Sequence, residues 1–383
     1  MQMAKLFRIT TVPISLEKLL GKQLTFMNQH YDVTAISADK ENLDRVGKEL
    51  GVKTHTIEMT RKITPLQDLK SLWEMYTYLK KEKPEIVHSH TPKAGLIGML
   101  AAKLAGVKVR LHTVAGLPLM ETMGIKRKVL NQVEKLTYAC ATNVYPNSKG
   151  LYDFILKEKL GKVDQLKVIG NGSTNGIDVN YFDCSLFSDD DNFRLRQELN
   201  ISKDDFVFIF VGRLVKDKGI NELVSAFKFL QLSNSPALKL LLVGPLEQDL
   251  DPLSQEVLDE IENNPGIVSV GFRKDVRPYF AMSNALAFPS YREGFPNVVL
   301  QALAMGLPAL VSNINGCNEI VAHQQNGLIF QPKESHDLQE AMKLCLDSEI
   351  YNKLQVSARD SVMKYKQELI WELLKKNYDN LLD

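Results

Sequence analysis

The stretch VFIFVGRLVKDKGI, residues Val207–Ile220, joins an apolar run to a charged loop. The run ends at Gly212, and Arg213 and Lys218 follow before a helix is expected to begin. A segment that is apolar at nearly every position, without alternation, is typical of a parallel strand covered on both faces. The run LKLLLVG (Leu238–Gly244) repeats this pattern. The two runs therefore predict the centre of a buried parallel sheet.

The rest of the chain alternates in the same way between short apolar runs and amphipathic stretches. Further strands are predicted at Lys5–Thr11, Val33–Ser37, Glu85–Val87, Lys108–Thr113, Ala285–Ser290 and Pro308–Ser312. Helices are predicted at Pro65–Lys83, at Lys93–Ala105 and from about Tyr351 to Leu382, among others. Strands alternating with helices favour an α/β fold with doubly wound parallel sheets.

The length of 383 residues exceeds what one ordinary hydrophobic core occupies, so two domains are expected. The junction is predicted near Gly170–Gly176, where glycine, asparagine and serine dominate, as in a hinge. We expect a first domain over residues 1–180 and a second over 181–364. A C-terminal helix, about 365–383, is expected to return to the first domain.

Composition excludes several classes of protein. Hydrophobic residues at 44% and charged residues at 24% fit a folded globular chain and not a disordered one. The four cysteines lie far apart, without the spacing of a zinc ribbon or disulfide framework, which predicts a reducing compartment. No apolar run approaches the ~20 residues that span a bilayer, and the N-terminus has no signal-peptide pattern. We therefore expect a cytoplasmic protein.

The net charge of +1 conceals a basic first half and an acidic second half. The basic excess is densest between Lys103 and Lys167 and includes Lys126, Arg127 and Lys128. Two interpretations stay open: a solvated surface, or a contact with an anionic membrane at the inner face of the plasma membrane. Nucleic acid is not expected as a partner, because no aromatic interleaving or groove-reading motif accompanies the charge.

Arg213 and Lys218 follow their strand at the carboxyl edge of the predicted sheet, where open parallel sheets bind ligands. A helix N-terminus at that place attracts anions through its free N–H groups and its dipole. The planar guanidinium of Arg213 and the point charge of Lys218 suit a diphosphate. The alternative is a charged loop exposed by chance.

A second loop carries a carboxylate at the same edge. The stretch SYREGFPNVVLQALAMGLPALVSNINGCNEIV, residues Ser290–Val321, follows a predicted strand and starts a helix around Pro296 or Asn297. Glu293 lies in the loop before this helix, where its carboxylate can accept hydrogen bonds from ligand hydroxyls. Glu293, Gly294 and the start of the helix form one group with the cationic loop.

With these motifs the chain resembles family-four retaining glycosyltransferases over nearly all its length. It is most similar to bacterial enzymes that extend lipid-linked sugars for capsule, O-antigen or glycoprotein glycans. The resemblance implies the GT-B fold, with two Rossmann-like domains facing a cleft. It also implies transfer of a hexose or N-acetylhexosamine from a nucleotide-diphosphate sugar, UDP-linked, to a polyprenyl-diphosphate-linked or glycan acceptor. No cofactor and no metal are expected, since cations and a helix dipole replace the divalent ion.

The resemblance assigns roles to residues of the second domain. Arg213 and Lys218 are expected to hold the donor diphosphate, and Glu293 the donor-sugar hydroxyls. Further donor contacts are expected from Gly212, Phe272, Arg273, Gly294, Phe295, Pro296 and Asn297. Gln301 stands where the family has a second Glu that binds the ribose. Because an amide keeps hydrogen-bonding capacity but lacks the charge, weaker nucleotide binding is expected.

The first domain matches the family less closely. His112 is the nearest match to a histidine beside the reacting sugar, and the other alignment puts Ala115 there. His90 and Lys93 are expected on the acceptor side, next to its pyrophosphate. The loop after the first strand, Thr11–Leu24, lacks the glycine pair of the family.

Other kinds of site and function fit these residues less well. The acidic groups Asp189–Asp191 and Asp249 with Asp251 resemble metal-binding motifs but are interpreted as surface loops. A nucleotide-sugar epimerase is the alternative function. A dinucleotide oxidoreductase is disfavoured, because no G-x-G-x-x-G motif with an acidic residue about 20 positions later is present.

Overall fold

The computed structural model describes residues 3–60, 62, 64–233, 237–249 and 251–383. The chain divides into two compact units. Unit 1 comprises Met1–Gly176 and Gln367–Asp383, and unit 2 comprises Ile177–Lys366. The division falls at the end of the glycine-rich stretch, and the last helix belongs to unit 1.

Within the described residues, unit 1 contains a six-stranded sheet with the order β3-β2-β1-β4-β5-β6. Its strands are β1 (Lys5–Ile9), β2 (Asp32–Ser37), β3 (Lys53–Thr56), β4 (Ile86–Ser89), β5 (Val109–Val114) and β6 (Asn143–Pro146). Its helices are α1 (Pro13–Ser15), α2 (Lys22–Asn28), α3 (Lys40–Leu50), α4 (Pro65–Glu82), α5 (Pro92–Ala105), α6 (Gly124–Cys140) and α7 (Lys149–Lys157). All strand pairs are parallel, as the apolar runs predict.

Unit 2 repeats this topology with the order β12-β11-β10-β7-β8-β9 in the part that the structure describes. Its strands are β7 (Phe206–Val211), β8 (Leu238–Val243), β9 (Ile267–Gly271), β10 (Ala285–Phe288), β11 (Ala309–Ser312) and β12 (Gly327–Phe330). Its helices are α8 (Asp189–Glu198), α9 (Ile220–Ser233), α10 (Gln255–Asn263), α11 (Arg277–Ala281), α12 (Asn297–Ala304), α13 (Cys317–Ile320), α14 (Ser335–Cys345) and α15 (Ser348–Ser361). The last helix of the chain, α16 (Gln367–Leu382), packs on α2 of unit 1.

The central strands are buried because helices cover both faces of each sheet. Val207, Phe208, Ile209 and Phe210 of β7 have no exposed surface. Both sheets have the strand order of the doubly wound nucleotide-binding fold, in which the order reverses beside the first strand. The prediction of an α/β fold with two doubly wound parallel sheets is confirmed.

The C-terminal stretch is helical, as predicted, and consists of α15 and α16 with the 3₁₀ turn Met363–Tyr365 between them. Two local predictions are wrong. The acidic group Asp189–Asp191 is not a loop but the first turn of α8, where Ser188 forms a capping box with Asp191. Carboxylates are favourable there because they face the positive end of the helix dipole. The stretch after β1 is helical, with α1, the π-helical turn Leu16–Leu20 and α2 in place of a loop.

Candidate functional site

The strand order of unit 2 reverses between β10 and β7, and the loops that follow these two strands lie side by side. Open α/β sheets bind ligands in the crevice at such a switch point, outside the carboxyl ends of the strands. The loop after β7 carries Arg213 and Lys218, and the loop after β10 carries Glu293. The fold thus brings the two charged motifs of the sequence together.

Close backbone packing holds the two loops in register. Gly219 has φ +71°, and a Cβ atom there would lie 2.1 Å from the carbonyl oxygen of Pro289. The Tyr291 amide donates to the Asp217 carbonyl oxygen at 2.9 Å, and Arg292 forms an ion pair with the Asp217 carboxylate at 2.9 Å. The position of Lys218 relative to the second loop is therefore fixed by its neighbours on both sides.

Lys218 and Glu293 form an ion pair across the switch point. The Ser290 hydroxyl donates a second hydrogen bond to the same carboxylate oxygen, Oε1, at 2.8 Å. The Lys218 and Glu293 side chains are 18% and 17% exposed, so both groups are largely removed from water. A pair in this position can exchange its partner for a ligand, because an incoming phosphate offers Lys218 another anion and a sugar offers Glu293 hydroxyl donors.

Arg213 lies on the same loop but is more exposed. Its Nη1 atom is 3.0 Å from Oε2 of Glu247, which follows β8, and the Arg213 side chain is 44% exposed. Exposed pairs of this kind contribute about 0–1 kcal/mol, so an anionic ligand can displace Glu247 at little cost. The sequence predicted Arg213 as a ligand for anions but did not predict its ion pair with Glu247.

The turn after Glu293 is buried beneath a third loop. Gly294, Phe295 and Pro296 are buried, and α12 begins at the next residue, Asn297. The Asn315 side chain donates to the backbone carbonyl of Glu293. A Cβ atom on Gly316, which has φ +76°, would lie 2.3 Å from the Gly294 carbonyl oxygen.

Ser290, Asn315 and Gly316 support the Glu293 turn, although none of them was predicted as a site residue. All three fall within the quoted stretch Ser290–Val321 and follow β10 or β11 at the carboxyl edge of the sheet. Because all three follow predicted strands, they could have been predicted as site residues from their positions in the sequence.

The remaining donor-side predictions lie around this centre. Gln301 lies in α12 and is partly exposed. Phe272 is 68% exposed and Arg273 is also exposed, just after β9 at the outer edge of the sheet. Gly212 directly follows β7, and its carbonyl oxygen would lie 1.7 Å from a Cβ atom on Gly244, which follows β8, so the ends of the two strands are closely packed.

In unit 1, His112 is a buried, neutral side chain. It is 3% exposed, and its Nδ1 atom lies 2.8 Å from the Ser89 hydroxyl. Burial lowers the pKa of His112 to about 4. A Cβ atom on Gly95 would lie 2.4 Å from the imidazole, so a glycine is required there. A role for His112 in the reaction stays a prediction.

His90 and Lys93, predicted on the acceptor side, both have partners within unit 1. His90 is buried and accepts a hydrogen bond from Arg8 at 3.0 Å. The Lys93 ammonium lies 2.7 Å from the Asp68 carboxylate, and its side chain is 14% exposed. Contact of either residue with an acceptor would require these partners to be exchanged, and stays a prediction.

Metal ligands do not cluster in the described part of the chain: no group of three or more His, Cys, Asp or Glu side chains converges. The Asp251 carboxylate accepts a hydrogen bond from the Asp217 amide at 2.6 Å, which holds Asp251 against the loop after β7.

Among the described residues, no helix is both long and apolar enough to cross a bilayer.

Comparison with known proteins gives matches over most of the sequence. Residues 191–362 match the family described as glycosyl transferases group 1, and residues 25–172 match the glycosyl transferase 4-like domain. The capsular polysaccharide biosynthesis glycosyltransferase CapM of Staphylococcus aureus is 34% identical, covering 100% of this chain and 98% of CapM.

Two further comparisons agree with these. A UDP-Gal:alpha-D-GlcNAc-diphosphoundecaprenol alpha-1,3-galactosyltransferase of Escherichia coli is 28% identical, over 88% of this chain and 85% of its own. Among solved structures, Anabaena HepE in complex with UDP and glucose has a TM-score of 0.82 at 20% identity, covering 98% of this chain and 100% of its own. The resemblance inferred from the sequence is confirmed, and the matches give no support to an epimerase.

Proposed function

The chain belongs to the group 1 glycosyl transferases, and on that premise we propose that it moves a hexose or N-acetylhexosamine from a UDP-linked donor to a polyprenyl-diphosphate-linked acceptor. The observation that carries this proposal is the Lys218–Glu293 ion pair at the switch point of unit 2. It offers one cation for a phosphate and one carboxylate for sugar hydroxyls, side by side.

The names of the relatives support this choice of substrates. The Escherichia coli relative is named for a UDP-Gal donor and a diphosphoundecaprenol-linked acceptor. HepE, which shares the fold, has been crystallised with UDP and glucose. For this chain, the sugar, the nucleotide and the acceptor are part of the proposal.

The chemical task is to stabilise the negative charge that develops on the leaving nucleoside diphosphate. As the bond between sugar C1 and the β-phosphate oxygen breaks, Arg213 and Lys218 bind the phosphate more strongly than in the ground state. The acceptor hydroxyl forms its bond to C1 on the same face and passes its proton to the departing phosphate oxygen. Retention of configuration then needs no separate base, and Glu293 orients the sugar.

A surface of unit 1 supports contact with the membrane that carries such an acceptor. Leu66, Leu69 and Trp73 are exposed at helical spacing on α4, and Ile125 is exposed at the start of α6. Both helices pack against α5. Lysine side chains on α6, Lys126 and Lys128, are also exposed. Apolar side chains with neighbouring cations suit the interface of an anionic bilayer.

The proposal is tested with the purified chain, a panel of UDP-, GDP- and ADP-sugars, and a short-chain polyprenyl-diphosphate sugar as acceptor. We expect the unaltered protein to form a glycolipid product with a UDP-sugar. We expect the E293Q variant to form that product at a much lower rate. Full activity of E293Q would contradict the role of Glu293. An epimerised nucleotide sugar formed without acceptor would contradict the transferase proposal itself.

A further inference from the structure

The two oxygen atoms of the Glu293 carboxylate have different surroundings. The Lys218 ammonium and the Ser290 hydroxyl both donate a hydrogen bond to Oε1. The other oxygen, Oε2, accepts no hydrogen bond from the described residues and is not one of their buried unpaired atoms. Oε1 is therefore held by the protein, and Oε2 is the oxygen that a ligand can reach.

The two partners of Oε1 differ in whether a ligand can take them away. Lys218 is a cation that the proposed reaction assigns to the donor diphosphate, so a phosphate oxygen replaces Glu293 as its partner. Ser290 carries no charge and has 0% exposed surface, so a ligand neither attracts it nor reaches it. Once Lys218 has moved, Ser290 is the remaining donor to this carboxylate among the described residues.

The Ser290 hydroxyl has one proton and two acceptors within reach. Its Oγ atom lies 2.8 Å from Glu293 Oε1 and 3.2 Å from the Arg292 carbonyl oxygen. A hydrogen bond to an ionised acceptor is shorter and about twice as strong as one to a neutral acceptor. Both the distance and the charge therefore direct the proton to Glu293.

The residues on both sides of Ser290 are fixed against the loop after β7. The preceding residue, Pro289, lies so close to Gly219 that a Cβ atom there would be 2.1 Å from the Pro289 carbonyl oxygen. The following residue, Tyr291, donates its amide to the Asp217 carbonyl oxygen at 2.9 Å. The position of the Ser290 hydroxyl is thus set by backbone contacts that do not involve Lys218 or Glu293.

We propose that Ser290 is a positioning residue for the transfer reaction. Its hydroxyl holds Glu293 Oε1, so that Oε2 stays available to a hydroxyl of the donor sugar after Lys218 has moved to the diphosphate. Ser290 itself contacts neither the donor nor the acceptor. The inference rests on the proposed function, because it specifies how Glu293 performs the role given to it there.

A double-mutant cycle separates positioning of Glu293 from a general effect on folding. S290A should lower kcat by about 10-fold to 100-fold, as expected for the loss of one hydrogen bond to a charged group. In an E293A background the same substitution should change kcat by less than about 2-fold, because the carboxylate that Ser290 holds is gone. An equal loss in both backgrounds, or no loss in either, would overturn the proposal.

Ser312 provides the matched control. It ends β11, the strand next to β10, is also 0% exposed, and its hydroxyl has no hydrogen-bond partner in the part of the chain that is described. S312A thus removes a buried hydroxyl from the same sheet without removing a hydrogen bond, and should leave kcat unchanged. A loss in S312A equal to that in S290A would overturn the proposal.

Failure of the transferase proposal gives a different result in these assays. The unaltered protein and S312A would then form no glycolipid with any nucleotide sugar, and the present inference would fall with that proposal. Glycolipid formed by the unaltered protein, S312A and S290A at one common rate would overturn the role of Ser290 alone.

The second measurement is a crystal structure of the unaltered protein with the UDP-sugar of the panel that binds most tightly. We expect Ser290 Oγ within hydrogen-bonding distance of Glu293 Oε1 and a sugar hydroxyl at Oε2. A sugar hydroxyl bound to Ser290, or a Glu293 carboxylate turned away from Ser290, would overturn the proposal, whatever the behaviour of the variants.

Discussion

Lys218 and Glu293 come from loops after different strands, β7 and β10, and form an ion pair at the point where the sheet order of unit 2 reverses. The Gly219–Pro289 contact beside them leaves no room for a side chain. The pair therefore places side by side the two groups that a sugar diphosphate requires.

Removing the ammonium tests its part in stabilising the leaving group. We expect K218M to lower kcat by about 10²–10³, because loss of one preorganised group that binds the developing charge has an effect of that size. Steady-state kinetics with the UDP-sugar measures this change. The control is K216M, which removes an exposed cation from the same loop. A kcat for K218M within a few-fold of the unaltered protein would contradict the role of Lys218.

The close approach at Gly219 is tested by adding one methyl group. G219A should lower the free energy of unfolding by about 1–3 kcal/mol more than G306A, because backbone atoms of Pro289 block its Cβ. Gly306 also has a positive φ, +82°, but no atom lies within 4 Å of the place that an added methyl group would take, so G306A reports the cost of the backbone conformation alone. Urea unfolding of both variants measures the difference, and equal values would show that the contact is not rigid.

A buried carboxyl group in α6 makes stability depend on pH. Burial raises the pKa of Glu134 to about 7 in the folded protein, above its value in the unfolded chain. The folded state then binds the extra proton, so stability from protonated Glu134 is present at low pH and lost as the pH rises through 7. The E134Q side chain stays neutral at every pH. The free energy of unfolding of E134Q, relative to that of the unaltered protein, should therefore rise by about 2–3 kcal/mol from pH 5 to pH 8.

Chemical unfolding at both pH values checks this expectation. E372Q serves as the matched control, because Glu372 is exposed on α16 and its carboxyl group should change stability little at either pH. A difference between E134Q and the unaltered protein that is the same at pH 5 and pH 8 would contradict a raised pKa for Glu134.

Restoring a carboxylate at position 301 tests the departure from the family pattern. Q301E should bind UDP about 5-fold more tightly with turnover intact, because a charge-assisted hydrogen bond to the ribose exceeds a neutral one by about 1 kcal/mol. Calorimetric titration with UDP measures the affinity, and Q325E, at an exposed position outside α12, is the control. Loss of activity in Q301E would show that the role of Gln301 is different.

The sequence predicted the central strands best, because strands such as Phe206–Val211 are apolar at every position. It missed β3, β6, β9 and β12, which are the edge strands of the two sheets, and β3 (Lys53–Thr56) is polar and partly exposed. Side chains of an edge strand contact both solvent and protein. The order of apolar and polar residues in such a strand therefore gives little indication that a strand is present.

The site was predicted in its charged residues but not in their pairing. Arg213, Lys218 and Glu293 follow predicted strands, which places all three at one sheet edge. Glu247 follows β8, and its contact with Arg213 depends on side-chain reach across neighbouring strands, which no spacing in the sequence encodes. The burial of His90 beneath Arg8 likewise becomes visible only when β1 and β4 are seen to be adjacent.

The most direct test of the central claim is a crystal structure of this protein with UDP. We predict that the diphosphate lies against Arg213 and Lys218, with the Lys218 ammonium moved from Glu293 to a phosphate oxygen. A nucleotide bound elsewhere, or a diphosphate in the cleft of unit 2 that leaves Lys218 on Glu293 and touches neither cation, would contradict the account.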